Sequence, residues 1–366
     1  INNTKKFKSV YNTINKLKYN ISNVECLIVT NNLLCNDQFH QAINHDEINV
    51  LLISDEMHNL GTKSFASNEP KFIKYRLGLS ATPIRQYDET GTENIFKYFG
   101  DVVYEYNLED AIGKCLVPYN YFVHPVSLNT NEAESWLELT DKLKKIGFIY
   151  SKDNVGRKVN RDVDDSHYKS LLLRRRKIIE QAESKYSILY YLLKKERNLI
   201  KHTLVYLSDK CDKQIKQVNS MLMNELNLLI HQVTQKETSS GISSEILQRF
   251  SEGRTLQVLT AMRVLDEGID IPQVTTAYIL ASTTVERQWT QRRGRVMRKC
   301  PSLGKTIANI HDFFVFGPNH NEFNSLIKSE FTRIMEFAKL SNNAFQSDGA
   351  IEKLKPFKDK IMFRSN

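Results

Sequence analysis

Short apolar runs separated by polar stretches of helix length recur along this chain, and they constrain its fold more than any other feature. In the first third they are Cys26 to Thr30, Val50 to Ser54 and Tyr75 to Ser80. In the last part they are Leu204 to Leu207, Leu228 to Ile230, Val258 to Ala261, Thr276 to Leu280 and Ile307 to Ile310. Runs this short and this continuously apolar suit strands of a parallel sheet, which helices bury on both faces. Gln38 to Ile48, Ser244 to Phe250 and Glu286 to Arg298 supply helices between them. The rhythm predicts an α/β layer fold.

Residues 126–200 differ. Glu132 to Ile146 and Tyr168 to Leu193 are charged and helix-periodic, with a polar surface loop expected over Ser151 to Asp165. The tail after Asn319 reads as helical and basic, with Lys353, Lys355, Lys358 and Lys360 close together. The expected organisation is an α/β domain over 1–125, a helical connector over 126–200, a second α/β domain over 201–340 and a basic tail over 341–366. Two domains also fit 366 residues at roughly 150 per domain.

The balance of 41% hydrophobic and 25% charged residues is that of a soluble globular chain, and 14 Gly with 8 Pro are too few for a collagenous or Pro/Gly-rich disordered one. No apolar run approaches the ~18 residues that span a bilayer, so the expectation is a cytoplasmic protein with no membrane partner. The five cysteines (Cys26, Cys35, Cys115, Cys211 and Cys300) are scattered, without the paired spacing of a zinc site or disulfide framework. The net charge of +9 is uneven: −2 over residues 1–125, +5 over 126–200 and +6 over 201–366. A basic middle and C-terminal part suits a polyanion, through counterion release, or simply a solvated surface.

Asp55-Glu56-Met57-His58 directly follows the strand run Val50 to Ser54. Ligands of open parallel sheets bind at the carboxyl ends of strands, and two adjacent carboxylates there can hold a hydrated Mg²⁺ and orient a water. The plain alternative is a pair of acids ahead of a helix. Downstream lie Ser80-Ala81-Thr82-Pro83, then Thr203 to Ser208, then Thr260 to Asp270, and finally Gln291-Arg292-Arg293-Gly294-Arg295-Val296-Met297-Arg298. The last spacing predicts Arg295 and Arg298 on one helical face. Arg292 and Arg293 are expected to meet phosphate backbone or solvent.

This ordered set resembles the superfamily 2 helicases and translocases, on their XPB-like and restriction-helicase-like branch. Asp55 to His58 is similar to motif II, Ser80 to Pro83 to motif III, Thr203 to Ser208 to motif IV, Thr260 to Asp270 to motif V and Gln291 to Arg298 to motif VI. Tyr98-Phe99-Gly100, Glu109 to Ile112 and Val117-Pro118-Tyr119 share that branch's wording, and the likeness covers roughly residues 20–320. It implies an α/β fold of two RecA-like P-loop NTPase domains with a helical connector, clamping ATP and Mg²⁺. Asp55 would hold the metal, Glu56 would polarise the attacking water, and His58 would link the nucleotide to motif III. Ser80 and Thr82 would couple hydrolysis to movement. Arg295 and Arg298 would be arginine fingers, oriented by Gln291. Gly268 would allow a tight turn beside the ligand and Asp270 would meet the ribose. Nucleic acid would run across both domains, touching Thr30, Asn31 and Thr260. Arg174, Arg175 and Arg176 on the connector are further candidates, or else a solvated helix face. Such contacts read the phosphate backbone rather than bases.

The implied activity is nucleic-acid-stimulated ATP hydrolysis on DNA, duplex by preference and with RNA still open. The expected setting is restriction, phage defence or repair, beside a nuclease or other defence subunit. One element of the pattern is missing: no Gly-x-x-x-x-Gly-Lys-[Ser/Thr] precedes Asp55, and Gly304-Lys305-Thr306 and Gly113-Lys114-Cys115 do not complete one. Asp55 would therefore share Mg²⁺ with a P-loop Ser/Thr that this chain lacks. The first domain is expected to be N-terminally incomplete, Ile1 being an arbitrary start; a truncated, inactive domain is the competing explanation. A non-catalytic nucleic-acid-binding scaffold is the alternative function. A metal-dependent nuclease lacks the further acid and lysine cluster it would need.

Overall fold

The computed structural model describes residues 3–85, 88–152, 161–208, 212–233, 237, 242–262, 271–281, 286–317 and 325–362. The chain divides into two compact units, Ile1–Glu105 and Tyr106–Asn366.

The first unit holds α1 (Asn3–Lys18), α2 (Asn31–Leu34), α3 (Asp37–Ile43), β1 (Leu51–Ser54), α4 (Lys63–Ser67), β2 (Tyr75–Gly78) and α5 (Glu89–Phe99). Thr30, Asn36, Thr62 and Asp88 start α2, α3, α4 and α5, each side chain accepting a first-turn backbone N–H that would otherwise lack a partner. β1 and β2 pair in parallel, from Leu51 opposite Tyr75 to Ser54 opposite Gly78. Leu52 joins a core of Val10, Ile14, Phe39, Leu60, Phe65, Ile73 and Tyr98. The alternate residues Leu51, Ile53, Tyr75 and Leu77 are exposed, leaving one face of this sheet apolar and uncovered among the described residues. The strand expected over Cys26 to Thr30 does not form a ladder. Leu27 and Val29 pack on the core while Cys26, Ile28 and Thr30 face out, so the apolar alternation is used in packing without a strand neighbour.

The second unit opens with α6 (Leu108–Ala111), β3 (Tyr119–Ser127) and three helices, α7 (Thr130–Lys152), α8 (Arg161–Gln181) and α9 (Ser184–Lys195). It continues through β4 (Thr203–Tyr206), α10 (Asp212–Ser220), β5 (Ile230–Val233), α11 (Ser244–Glu252), β6 (Val258–Ala261) and β7 (Thr276–Ile279). It closes with α12 (Glu286–Val296), β8 (Ala308–Phe316), α13 (Ser325–Lys339) and α14 (Ala350–Met362). The six strands are all parallel, in the order β3-β8-β7-β4-β6-β5. Both faces are covered, which is why β4, β6 and β7 read as short, largely apolar runs. Leu204 and Tyr206 enter one core and Val205 and Leu207 the other; Ile310 and Phe314 part from Phe313 and Val315 in the same way.

Three features depart from the sequence expectation. β3 is an edge strand that Asn120, His124 and Pro125 disguise in the sequence. Its outer edge is closed by Asn342 N–H on the Tyr119 carbonyl (2.9 Å) and by the Asn343 amide on both backbone groups of Tyr121. The single helical run Tyr168 to Leu193 is two helices. Glu183, at the break, donates its N–H to Glu132 Oε1 (2.9 Å) and accepts from Asn129 Nδ2 (2.9 Å). Helix also takes up both ends of the loop expected over Ser151 to Asp165, and residues 153–160 lie outside the described residues.

One buried ion pair spans the second unit's core. Arg333 Nη1 donates to Asp312 Oδ2 at 2.7 Å, with side chains 4% and 0% exposed. Tyr121 Oη donates to the same oxygen (2.8 Å), and Arg333 Nη2 donates to Glu330 Oε2 at 2.9 Å. Removing one partner strands the other charge in low dielectric. Arg333→Met is expected to cost roughly 3–5 kcal/mol in urea unfolding of this unit. Tyr121→Phe, which spares the pair, should cost about 1–3 kcal/mol. Equal costs would mean that the stranded charge is not what matters.

Candidate active site and arginine helix

In the first unit, the pairing of β1 with β2 runs on past the strand ends. Leu79 N–H donates to the Ser54 carbonyl (2.9 Å) and Met57 N–H to the Leu79 carbonyl (3.0 Å), which brings the Asp55–His58 loop against Ser80. Asp55 is exposed at this edge, and its Oδ1 accepts the Glu56 N–H at 3.0 Å. Glu56 sits in the left-handed region at φ 49°, ψ 49°, a strained placement for a side-chain-bearing residue and one that functional sites often hold. The chain then tightens into a 3₁₀ turn, Met57–Leu60, burying His58. His58 Nδ1 shares a 2.9 Å hydrogen bond with Ser80 Oγ and lies 3.4 Å from Glu56 Oε2. Ser80 Oγ also accepts the Thr82 N–H at 3.2 Å. Glu56, His58, Ser80 and Thr82 thus form one connected chain of contacts at a single sheet edge.

Arg85 completes the assembly and went unnoticed in the sequence. Its Nη1 donates to the His58 carbonyl and its Nε to Asp88 Oδ2, Asp88 being the cap of α5. The Gly91 N–H and the Arg85 guanidinium hold the Asp88 carboxyl below its ordinary pKa. The signal that could have found this residue is its position three before an N-cap aspartate, within reach of the turn after His58. Gly91 matters through closeness: a Cβ there would stand 2.6 Å from the Gly61 carbonyl, so α5 can pack on the end of the His58 turn only without one.

The oxygen donors suit a magnesium ion carried by a nucleotide. Mg²⁺ keeps several waters and takes one or two carboxylates plus substrate phosphates, and Asp55 offers such a carboxylate at an open edge. Among the described residues no cluster of three or more His, Cys, Asp or Glu forms a dedicated metal cage.

In the second unit, α12 carries Gln291 to Arg295 and sorts its arginines by helical phase. Arg292 and Arg293 turn inward. Arg292 Nη1 donates to the Ala281 carbonyl (2.9 Å), and the Arg293 guanidinium lies 3.5 Å from the centre of the Phe337 ring. Burial brings the pKa of Arg293 down to about 10. The backbone or solvent contact expected of these two is therefore not what they make. Arg295 and Arg298 are half-exposed. They do not share one helix, however: α12 ends at Val296 and Arg298 stands in an antiparallel bridge with Leu116. The Met297 carbonyl accepts the Val117 N–H at 2.8 Å, which draws the chain out of helical geometry before Arg298. Gly268 and Asp270 lie outside the described residues, as does the side chain of Gln291.

The expected nucleic-acid contacts divide in the same manner. Thr30 and Asn31 are exposed at the start of α2. Thr260 is wholly buried in β6, so its side chain cannot face a strand of nucleic acid as placed. On α8, Arg174 is exposed, Arg175 is buried with its guanidinium 5.1 Å from the centre of the Trp136 ring, and Arg176 donates to Glu180 Oε1 at 2.7 Å. Successive residues turn by about 100° around a helix, so three adjacent arginines cannot all face one ligand. Arg175 is a packing residue.

Residues 184–300 match the helicase conserved C-terminal domain family. Over 258 residues the chain is 30% identical to the DNA 3'-5' translocase XPB2 of Sulfurisphaera tokodaii, a match covering 68% of this chain and 56% of that protein. The chain belongs to the superfamily 2 helicases. Within that superfamily it is XPB-like, and its mixed α/β architecture with a parallel sheet is the one expected of RecA-like helicase domains. Among solved structures, the Pyrococcus furiosus Hef helicase domain aligns at TM-score 0.48 with 15% identity, covering 83% of this chain and 77% of that one. A fragment of a putative HsdR subunit of a type I restriction enzyme from Vibrio vulnificus aligns at 0.44 with 22% identity, covering 75% and 45%. This superfamily 2 chain spans just over half the length of its XPB2 relative. No helix among the described residues is long and apolar enough to cross a membrane.

The α5 contact gives a direct test. Gly91→Ala should cost roughly 1–3 kcal/mol, as overpacking against a backbone atom does, and should speed amide exchange over Met57 to Gly61. Gly294→Ala, whose Cβ would meet nothing within 4 Å, should leave stability unchanged or raise it by up to ~1 kcal/mol. Similar losses in both variants would contradict the packing described.

Proposed function

We propose that this chain is most of a motor that hydrolyses ATP when bound to DNA, duplex by preference, and moves along or opens it. The bond between His58 and Ser80 carries the reading, because it joins the acid-bearing loop to the Ser80–Thr82 segment as a nucleotide sensor would require. In this reading Asp55 holds Mg²⁺, which supplies charge neutralisation on the phosphates. Glu56 takes a proton from, and orients, the water that attacks the γ-phosphoryl group. His58 transmits the state of that loop to Ser80 and Thr82. Arg295 and Arg298 offer fixed positive charge to the same phosphoryl group in the transition state, with Gln291 orienting them. Gly268 and Asp270 shape the nucleotide pocket. Thr30, Asn31 and Arg174 meet the phosphate backbone; Thr260 and Arg175 take no part in it.

The phosphate-cradling loop is proposed to come from residues outside this sequence. Two observations support that: no such motif occurs in the 366 residues, and the sheet face bearing Leu51, Ile53, Tyr75 and Leu77 is apolar and uncovered among the described residues. The biological setting we favour is restriction, phage defence or DNA repair, alongside a nuclease or other defence subunit, in the cytoplasm.

In the full-length protein, Glu56→Gln should abolish turnover while ATP and DNA binding persist. Arg298→Ala should slow hydrolysis by roughly 10³–10⁵, as loss of an arginine finger does. Steady-state phosphate release by both variants at the unsubstituted rate would remove the mechanism.

A further inference from the structure

A further candidate site lies within the second unit. Residues of α7, α8, α9 and α10 line an open cavity of about 530 Å³, within the size range of ligand pockets. Arg174 and Lys177, one turn apart on α8, and Lys213 on α10 line it. All three are exposed, and none has an ion-pair partner among the described residues. The acids nearby are already engaged. Glu132 accepts the Asn129 and Glu183 N–H groups at 3.0 and 2.9 Å, Glu183 accepts from Asn129 Nδ2, and Glu138 is held by Lys142 at 2.6 Å. A further donor is present: Gln181 lines the cavity, and its Nε2 is buried without an acceptor among the described residues. Three cations and a buried donor without an acceptor describe a site for an oxyanion.

The wall of this cavity is fastened to the sheet. Gln214, which also lines it, accepts the Ser208 N–H at 2.8 Å and donates to the Glu180 carbonyl at 3.2 Å. Ser208 lies just past the carboxyl end of β4, and its hydroxyl donates to Glu180 Oε2. A group held by Lys213 is therefore one side chain away from the edge where the second unit's loops emerge.

We propose that this cavity binds backbone phosphates of a nucleic-acid strand through Arg174, Lys177, Lys213 and the Gln181 amide. The proposal rests on the nucleic-acid reading above and gives it a location. It also gives a role to Arg174, which alone of the three adjacent arginines is exposed and, among the described residues, has no carboxylate within ion-pair distance: it faces the phosphates while Arg175 packs and Arg176 pairs with Glu180.

The test is fluorescence anisotropy of a labelled oligothymidylate with the purified chain across a salt series. Lys177→Ala combined with Lys213→Ala should lower the salt slope of log affinity by about 1.4, since each single-strand phosphate contact contributes about 0.7. The affinity lost between 50 and 200 mM salt should then shrink by about sevenfold. Lys195→Ala, an exposed lysine outside the cavity, is the control and should leave the slope unchanged. Circular dichroism confirms folding, and Gln181→Leu, which adds no charge, should weaken binding without changing the slope. An unchanged slope in the double variant overturns the proposal while leaving the ATPase reading to the turnover of Glu56→Gln. So does failure of the unsubstituted chain to bind the oligonucleotide. If the double variant loses only inorganic phosphate and keeps the oligonucleotide, the cavity takes a free anion and the proposal is likewise overturned.

Discussion

Parallel pairing is the constraint on which everything else in this protein depends. When neighbouring strands run the same way, their carboxyl ends meet at one edge, and the loops that leave them share that edge. In the first unit the register of β1 on β2 places Ser54 opposite Gly78, and two further backbone bonds carry the pairing into the loops. His58 and Ser80, 22 positions apart, are brought within a hydrogen bond by that register alone. In the second unit the same rule sets Ser208, beyond β4, on the edge where β6 and β7 also end.

Burial then decides which basic residues remain available for chemistry. Arg292, Arg293 and Arg175 spend their charge on carbonyls and aromatic faces, anchoring helices to the core. Arg295, Arg298 and Arg174 are left at the surface. A run of arginines in the sequence is therefore a mixture of buried anchors and surface-facing groups, which helical phase separates where the run is helical. The Asp312–Arg333 pair is the extreme case, a charge pair wholly inside the core.

Much of this was legible in the sequence, and the reason is physical. A strand buried on both faces must be apolar throughout, so β4, β6 and β7 announced themselves; β1 reads the same way, although Leu51 and Ile53 are exposed on one of its faces. β3 was hidden because an edge strand tolerates Asn120, His124 and Pro125. Cys26 to Thr30 misled because its apolar residues pack without pairing. The inward turn of Arg175 depends on Trp136, 39 positions away, and the departure of Arg298 from its helix depends on Leu116. Neither partner can be identified from local sequence. Motif spacing pointed to His58 and Ser80 as neighbours, and the structure joins them by a hydrogen bond; which arginines face outward only tertiary packing showed.

The most direct measurement is ATP hydrolysis by the full-length protein with and without duplex DNA, repeated with Asp55→Asn. Hydrolysis should rise on adding DNA and fall to background in the variant. Hydrolysis indifferent to DNA, or undiminished when Asp55 loses its charge, would contradict the proposed function.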